Sequence, residues 1–400
     1  QGEPRRMKGR RSLIKSIFQQ GARPFRLQRR WSSFLFNDLH NGWGEAQQAL
    51  SRYSAPLIVR GNPYRYPARY VVKCLAEHRR SVSSRIDPDQ SLQMKINTIA
   101  SGVIQTLVAA ATLCVLDSDP LSAETRPNIL FCISDDQSYA HTGANGDPVV
   151  QTPAFDRIAR EGLRFTHAFC DAPTCGPSRS AILTGQHIWR LEEAGNIHST
   201  LPAKFATYTE LLAEAGYSVG YTGKGWSPGR LEPGGRTMNP SGQEFNQRTL
   251  KPPFKAIRNT DYAGNFQDFL KQVSEDQPFC FWLGTSEPHR GFELGAGMKT
   301  GKDPAKVIVP PIFPDNDVVR NDILDYLVEI EHFDSMVARV IASIEARGQL
   351  DNTIVVITSD HGMPFPRAKA SLYDAGSRVP LAIRWPQGIQ RPGRAVTALA

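Results

Sequence analysis

Two short and almost wholly apolar runs each end in residues that can bind a cation. The first is Asn128-Ile-Leu-Phe-Cys-Ile-Ser134, followed directly by Asp135-Asp136. The second is Thr353-Ile-Val-Val-Ile-Thr-Ser359, followed by Asp360-His361. Uninterrupted apolar segments of this length are typical of strands buried on both faces, as in parallel sheets. The two runs therefore predict central strands of an α/β fold.

Helical patterns alternate with further apolar segments around these two strands. Helical periodicity covers residues 153–162, 208–216, 261–275 and 319–347, and strand-like segments cover residues 217–222, 278–284 and 379–385. This alternation predicts an α/β fold with a large, mostly parallel sheet that is covered by helices on both faces. In such sheets, sites form where loops leave the carboxyl ends of the strands.

Positive charge is concentrated in the N-terminal quarter of the chain. Residues 1–93 contain 18 Lys and Arg against 6 Asp and Glu, whereas the remainder contains 29 against 33. The net charge of +8 therefore belongs to the first 93 residues, which show no sustained hydrophobic period. We interpret residues 1–93 as a basic upstream extension outside the fold, and the near-neutral remainder predicts no nucleic-acid partner.

A secretory signal peptide is predicted over residues 94–123. The segment opens with Met94-Lys95, continues with a short apolar run over 104–116 and ends in small residues. This pattern is typical of export signals, and the run is too short for stable membrane insertion. A buried helix is the alternative. We expect a secreted or periplasmic protein whose folded domain covers residues 124–400, with further sequence beyond Ala400.

The segment Cys175-Gly-Pro-Ser-Arg179 carries the strongest local signal. Pro177 favours the first turn of a helix, so Cys175 would lie at a helix N-terminus, where free N–H groups attract anions. Arg179 follows one turn later and can face the same anion. The alternatives are a buried cysteine or a disulfide with Cys170. A thiol phosphatase would need a longer loop between Cys and Arg.

The acidic residues after the two central strands predict a metal site. Adjacent carboxylates such as Asp135 and Asp136 need a nearby cation, or one of them takes up a proton. Asp360 would approach them from the neighbouring strand, and a hard divalent ion prefers oxygen ligands of this kind. A turn or helix cap is the alternative for two adjacent Asp residues.

In combination, these features resemble the sulfatase family, whose Cys-x-Pro-Ser-Arg signature matches the segment that begins at Cys175. The resemblance runs from Arg126 to the end of the chain. It implies an alkaline phosphatase-like fold with a smaller C-terminal sheet domain, most of which would lie beyond Ala400. It also implies that a formylglycine-generating maturation enzyme oxidises Cys175 to formylglycine, whose hydrate supplies the nucleophile.

The same resemblance implies the ligands of the metal ion. The ligands would be Asp135, Asp136, Asp360, His361 and the residue formed from Cys175, and the ion would be Ca²⁺. A nitrogen ligand is less natural for calcium than a carboxylate, so His361 is a weaker candidate than the three aspartates.

Three further residues receive catalytic roles from the resemblance. Lys224 and Lys369 would contact the sulfate together with Arg179, and His289 would face the leaving-group oxygen. Without the family pattern, each would be interpreted as a solvated lysine or a histidine satisfied in the core. Most sulfatases have a histidine two residues after the lysine. Here the segment is Lys224-Gly-Trp-Ser227, so the group that this histidine provides is either absent or supplied from elsewhere, with His187 and His198 as the candidates.

Two stretches, residues 287–290 and 359–366, look closest to the sulfamidase (heparan N-sulfatase) branch. They suggest a sulfated carbohydrate substrate carrying N- or O-linked sulfate. The Gly- and Pro-rich segment 227–254 would line the substrate entrance, with its polar residues Arg230, Arg236, Asn239 and Gln243 around a pocket; the alternative is a surface loop without a role in binding. The alternatives are a phosphomonoester or phosphonate hydrolase of the same fold, and a non-catalytic glycan-binding relative.

Overall fold

The computed structural model describes residues 126–400. The predicted extension over residues 1–93 and the predicted signal peptide over 94–123 lie outside this part of the chain. The strands are β1 (Asn128–Ser134), β2 (Leu163–Phe165), β3 (Ser218–Gly223), β4 (Gln243–Glu244), β5 (Phe279–Gly284), β6 (Thr353–Ser359), β7 (Leu381–Arg384) and β8 (Arg394–Val396). The α-helices are α1 (Pro153–Glu161), α2 (Cys175–Thr184), α3 (Tyr208–Glu214), α4 (Tyr262–Leu270), α5 (Ala296–Lys299), α6 (Asp317–Ala346) and α7 (Asp374–Ser377).

All eight strands form one sheet, in the order β4-β3-β5-β1-β6-β7-β2-β8. The five strands from the edge strand β4 to β6 are parallel throughout. Strand β7 runs antiparallel to both β6 and β2, so the sheet is mixed at this side. The predicted α/β class with a large, mostly parallel sheet is confirmed. The smaller C-terminal sheet domain stays a prediction.

Alternate side chains of β1 point to opposite faces of the sheet, and helices cover both faces. Leu130 packs in one cluster with Phe266 of α4 and Phe333 of α6. Phe131 belongs to a second cluster that includes Leu183 of α2. Each buried side chain of this size contributes roughly 1.5–3 kcal/mol when it leaves water. A strand buried on both faces has no polar alternation, which is why β1 is a continuous apolar run.

The observed element bounds agree closely with the prediction for the long elements. Strand β6 covers the predicted residues 353–359, and α6 begins at Asp317 rather than at residue 319. Helix α4 ends at Leu270 and not at residue 275. At this end the Arg347 guanidinium donates hydrogen bonds to the carbonyls of Leu270 and Val273, which have no partner within the helix.

The register of the central strands positions the acidic residues side by side. Ser134 of β1 is the partner of Ser359 in β6, so Asp135 and Asp360 leave the sheet at the same level. Strand β5 pairs with the other edge of β1 and brings the loop after Gly284 to the same end. Within residues 126–400, no helix combines the length and apolar character that a membrane span requires.

Candidate active site

Five potential ligands meet at the carboxyl ends of β1 and β6. One atom from each of them lies within 4.8 Å of the corresponding atoms of the others, and all five residues are buried: Asp135, Asp136, Cys175, Asp360 and His361. Asp136 has a φ of 75°, a left-handed conformation that Asp tolerates better than most residues. The structure therefore brings together all five residues that the sequence predicts as metal ligands.

Cys175 is the first residue of α2, as predicted, and this helix start places it in the cluster. Its side chain is buried, and the Sγ atom lies 3.4 Å from Asp135 Oδ1 and 3.3 Å from His361 Nε2. All four cysteines of residues 126–400 are free thiols, so the alternative of a disulfide with Cys170 is wrong. Burial, together with the nearby carboxylates of Asp360 and Asp135, raises the pKa of the Cys175 thiol. A thiolate nucleophile is therefore disfavoured here.

The contacts of His361 require a proton or a metal ion between its ring and Asp136. Its Nδ1 lies 3.0 Å from the carbonyl oxygen of Gly362, so Nδ1 carries the proton of a neutral ring. Its Nε2 then faces Asp136 Oδ1 at 2.9 Å, which places two acceptors against each other. A proton or a metal ion between them removes the conflict. Although burial opposes the positive charge, Asp360 and Asp136 raise the pKa of His361 well above its usual range.

Three buried carboxylates with an imidazole nitrogen fit a divalent ion. Burial and the neighbouring Asp360 raise the pKa of Asp135 to about 6, which shows the cost of gathering these charges. Burial acts on Asp360 in the same direction, but His361 and Arg179 hold the pKa of Asp360 well below its usual range. Carboxylate oxygens are the preferred ligands of hard ions such as Ca²⁺.

Three cationic side chains surround Cys175, and each contacts a different carboxylate. Lys224 Nζ lies 2.6 Å from Asp135 Oδ2, and Arg179 Nε lies 3.0 Å from Asp360 Oδ2. Lys369 Nζ lies 2.7 Å from Asp136 Oδ2 and 4.0 Å from Cys175 Sγ. Burial disfavours the charged form of each, yet the carboxylates raise the pKa of both lysines, so all three cations stay charged.

Arg179 retains one free donor that points into the site. Its side chain is fully buried, and its Nη1 donates to the carbonyls of Lys224 and Gly225 at 2.8 and 3.1 Å. Its Nη2 is buried without a hydrogen-bond partner among residues 126–400, and it lies 3.7 Å from Asp135 Oδ1. A buried guanidinium nitrogen without a partner is costly, which indicates that an anionic ligand completes its bonding.

His289 lies at the border between the buried cluster and solvent. Its side chain is 45% exposed, and its Nε2 lies 3.9 Å from Asp136 Oδ2. The loop that carries His289 is fixed to the metal-ligand strand, because the Asp135 N–H donates to the carbonyl of Glu287 at 2.9 Å. The structure therefore brings His289 to the site, as predicted.

His187 and His198 do not take the predicted place next to Cys175. The His187 side chain is 67% exposed and its Nδ1 is bonded to Asp171 Oδ1, and His198 is exposed. His361 makes the contact with Cys175 instead. The position of the usual histidine holds Trp226, which is buried and donates to Ser180 Oγ at 2.8 Å.

An open cleft of about 780 Å³ leads to the cluster and is lined by Asp135, Lys224 and His289. Residues 227–254 were expected to frame it, but only Ser227 and Pro252 from that segment line it.

Two of the predicted pocket residues are structural. Arg236 is buried and donates to the carbonyls of Leu201 and Phe205. Asn239 accepts a hydrogen bond from the backbone N–H of Trp226. Arg230 and Gln243 are exposed, and neither lines the cleft. Residues 255–259 line it instead, and sequence reasoning missed them because this segment has neither a hydrophobic period nor a motif.

Comparisons with known proteins agree with this geometry. The chain is 27% identical over 293 residues to N-sulphoglucosamine sulphohydrolase of Homo sapiens, covering 67% of this chain and 57% of that protein. It spans between 49% and 59% of the length of the curated relatives that match it first.

Two solved structures share the fold. One is the structure of a protein in complex with its substrate D-glucosamine-2-N,6-O-disulfate. This structure matches with a TM-score of 0.53 and 21% identity, over 69% of this chain and 74% of that chain. The other is the phosphonate monoester hydrolase of Agrobacterium radiobacter, which has a TM-score of 0.54 and 17% identity and covers 69% and 71% of the two chains. At these identities the likeness is one of fold alone.

The family assignment rests on a match that covers most of the described chain. The family model described as Sulfatase matches residues 127–399, from the start of β1 to beyond β8. The matched range includes the cysteine at the start of α2, the acidic residues after β1 and β6, and the surrounding cations. This chain therefore belongs to the sulfatase family.

Proposed function

We propose that this protein hydrolyses sulfate esters or sulfamates of sulfated carbohydrates, with a formylglycine formed from Cys175. One observation carries the proposal. Cys175 Sγ lies within a buried cluster of carboxylates, 3.4 Å from Asp135 Oδ1, while Lys369 Nζ lies 4.0 Å away on another side. A reactive group at this position would face a metal site and an anion site at the same time. The hydrated aldehyde would offer a hydroxyl as nucleophile, which a buried thiol with a raised pKa cannot match.

Asp135, Asp136, Asp360 and His361 would hold one divalent ion, which we propose to be Ca²⁺. When bound, such an ion polarises a sulfate oxygen and lowers the pKa of a hydroxyl in contact with it. The carboxylates are already in place, because the register of β1 and β6 aligns Ser134 with Ser359.

The cations would bind the sulfate and compensate the charge that develops during its transfer. Lys224 and Lys369 reach the site from different loops, and Arg179 directs its unpartnered Nη2 toward it. Charged donors held in a buried site stabilise an anion far more strongly than the same groups do in water. Their fixed positions also orient the sulfur for attack from the side of Cys175.

His289 would donate a proton to the leaving oxygen or nitrogen of the sugar. This role needs a group at the edge of the sulfate site, because the sugar extends from the sulfate toward solvent. The half-exposed His289, with Nε2 3.9 Å from Asp136 Oδ2, lies at that edge and lines the cleft. Proton donation by a positioned histidine commonly contributes about 10²–10⁴-fold to the rate.

The test is to express the full chain with and without a formylglycine-generating enzyme. Mass spectrometry of the peptide containing Cys175 should show the aldehyde only in the first case. Sulfate release from N-sulfated and O-sulfated sugars should follow the degree of conversion, and Cys175→Ala should be inactive but folded. The same enzyme on phosphonate and phosphate monoesters tests the rival activity. Full conversion without sulfate release from any sulfated sugar or aryl sulfate would contradict the proposal.

We further propose that the protein is exported to the periplasm or the medium by the segment at residues 94–123. The support is the sequence pattern of that segment, which opens with Met94-Lys95. N-terminal sequencing of protein recovered outside the cytoplasm should find a start near residue 124. An intact segment on the exported protein would contradict this.

A further inference from the structure

A short loop at residues 252–259 forms one wall of the cleft, and its backbone is fixed. The Lys255 N–H donates to Glu293 Oε2 at 2.7 Å, and the Arg258 N–H donates to Glu287 Oε1 at 2.9 Å. Ile257, between them, is buried in the protein. Both acceptors belong to the segment that also carries His289. The loop is therefore held in a defined position relative to the reaction centre.

The side chains of Lys255 and Arg258 differ from the other cations near the site because they are unpaired. Both are exposed and line the cleft, and neither forms an ion pair with another residue of the described chain. Arg290 lines the same cleft, but it is paired with Asp322 at 2.7 Å and lies over the ring of Phe365. Arg290 is thus committed to the fold. The charge of Lys255 acts on Glu293, but Glu293 is already paired with Lys299 at 2.6 Å, so Lys255 and Arg258 remain available to an external anion.

The acidic residues of the cleft do not neutralise these two cations. Asp135 is paired with Lys224. Glu287 accepts hydrogen bonds from two neutral donors, the Arg258 N–H and Tyr262 Oη at 2.8 Å, and forms an ion pair with neither Lys255 nor Arg258. Burial, with the nearby charges of Glu287 and Asp325, raises the pKa of Glu329 to about 8. At neutral pH its carboxyl group is therefore mainly uncharged. Among the acidic residues that line the cleft, only Glu287 then offsets the two positive charges of Lys255 and Arg258, so this wall keeps a positive excess.

We propose that Lys255 and Arg258 form a second anion subsite, which binds another sulfate or a carboxylate on the same sugar chain. This inference rests on the proposed function and narrows its substrate class to carbohydrates with at least two anionic groups. One group would enter the buried cluster at Cys175, and the other would lie at the cleft wall. The guanidinium of Arg258 can bind either kind of oxyanion with two parallel hydrogen bonds, and Lys255 adds a point charge.

Binding measurements on Cys175→Ala test the subsite without turnover. The probes are glucosamine with one sulfate, glucosamine with two sulfates, and a monosulfated glucosamine linked to a uronic acid. We expect at least one of the two dianionic probes to bind about tenfold more tightly than the monosulfated sugar, as a charge-assisted hydrogen-bond pair would give. The preferred probe identifies the second anion as sulfate or carboxylate.

Substitutions then locate the subsite. Arg258→Gln and Lys255→Gln in the Cys175→Ala background should each reduce the preference several-fold, and should leave the affinity for the monosulfated sugar nearly unchanged. Lys251→Gln is the matched control. Lys251 is an exposed lysine directly before the loop at residues 252–259, and it does not line the cleft. Thermal melts should be the same for all of these variants, since the substituted side chains form no ion pairs in the described chain.

Equal binding of all three probes, or a preference that survives both substitutions, would overturn the subsite. Sulfate release from the monosulfated sugar by the matured wild-type enzyme is measured separately. If that activity is present while the preference is absent, the subsite fails and the proposed function stands. If the preference follows Arg258 and Lys255 while no sulfate is released from any probe, the subsite stands and the hydrolytic function fails.

Discussion

Each of the three nitrogens of the Arg179 guanidinium has a separate role. Its Nε contacts Asp360, its Nη1 donates to two backbone carbonyls, and its Nη2 is left for a ligand. A lysine could keep the charge but could not keep the fixed fork of donors.

We therefore expect Arg179→Lys to lower kcat/KM by about 10²–10³-fold, because the loss of one such donor has this effect in other enzymes. Breaking a buried pair should also lower the free energy of unfolding by roughly 3 kcal/mol. Steady-state kinetics and urea unfolding measure the two effects. Arg157→Lys, at a partly exposed ion pair, is the control and should change neither. Wild-type activity in Arg179→Lys would refute the assignment of Arg179 to the sulfate.

Glu329 makes the stability of the protein depend on pH in the neutral range. Its pKa is about 8 in the fold, whereas the ordinary value is 4.5, so the folded state holds its proton more tightly. The stabilisation that comes from this proton is fully present below pH 4.5. As pH rises from 4.5 toward 8, the free energy of unfolding falls by at most about 1.4 kcal/mol per pH unit. Glu329→Gln should flatten the fall in unfolding free energy between pH 5 and 8. Urea unfolding across this pH range tests the prediction. If the unfolding free energy of Glu329→Gln depends on pH as steeply as that of the wild type, the prediction is wrong.

Residue-level prediction succeeded where a strand fixes the position of a side chain. Asp135 and Asp360 follow long strands, so parallel pairing alone predicts that they meet. His361 was predicted as a metal ligand, but that it would take the place beside Cys175 for which His187 or His198 was expected could not be found in this way. The contact between Cys175 and His361 joins positions 186 residues apart, and it depends on how two loops fold beyond the sheet edge. The same holds for Arg258, whose position follows from one backbone hydrogen bond to Glu287.

At the level of elements, the start of α2 depends on a close approach at Gly176. A Cβ atom at this position would lie 2.7 Å from the carbonyl oxygen of Pro228, which is closer than real contacts allow. Either the helix start or the loop at residues 227–229 would have to move, and Cys175 is the adjacent residue.

Gly176→Ala should therefore lower the free energy of unfolding by roughly 1–3 kcal/mol, as overpacked sites do. A small displacement of the reactive residue should also reduce kcat by up to about 10²-fold. Gly195→Ala is the matched control, because its Cβ would meet its nearest neighbour at an ordinary 3.6 Å. If both variants behave alike in denaturant unfolding and in turnover, the close approach has no structural importance.

Among the elements, length decided which were predictable. Strands β1 and β6 have seven residues each and stand out as apolar runs. Strands β2 and β8 have three residues each, and β4 has two, so none shows a period of its own. They become strands because a neighbour supplies hydrogen bonds, as β7 does for β2. Such pairing is a property of the sheet and not of the segment.

Considered as a whole, the fold gathers charge from distant parts of the chain at one edge of the sheet. Asp135 and Lys369 are far apart in the described sequence, yet the side chains of both lie within 4.0 Å of Cys175 Sγ. The three carboxylates of Asp135, Asp136 and Asp360 are buried there at a high cost in desolvation. The bound ion that we propose would offset this cost, so it should stabilise the whole sheet and not only the site.

Removal of calcium should therefore lower the melting temperature as well as the activity. At free calcium about 100-fold above its Kd, binding to the native state alone adds roughly 2.7 kcal/mol. For a domain of this size, that corresponds to a fall of roughly 5–10 °C when a chelator such as EDTA removes the ion. Calcium added back should restore both properties, and elemental analysis should find one ion per chain.

Asp360→Asn separates this effect from a general action of the chelator. Asp360 is fully buried, and its Oδ2 also holds Arg179 at 3.0 Å, so the variant should melt below the wild type in calcium. Because it lacks a carboxylate ligand, its melting temperature should change little when EDTA is added. If the chelator lowers both proteins equally, calcium acts at another place in the molecule. The metal site is refuted if the chelator lowers neither melting temperature and the purified wild type contains no ion. In that case Lys224, Lys369 and Arg179 alone balance the charges of the cluster.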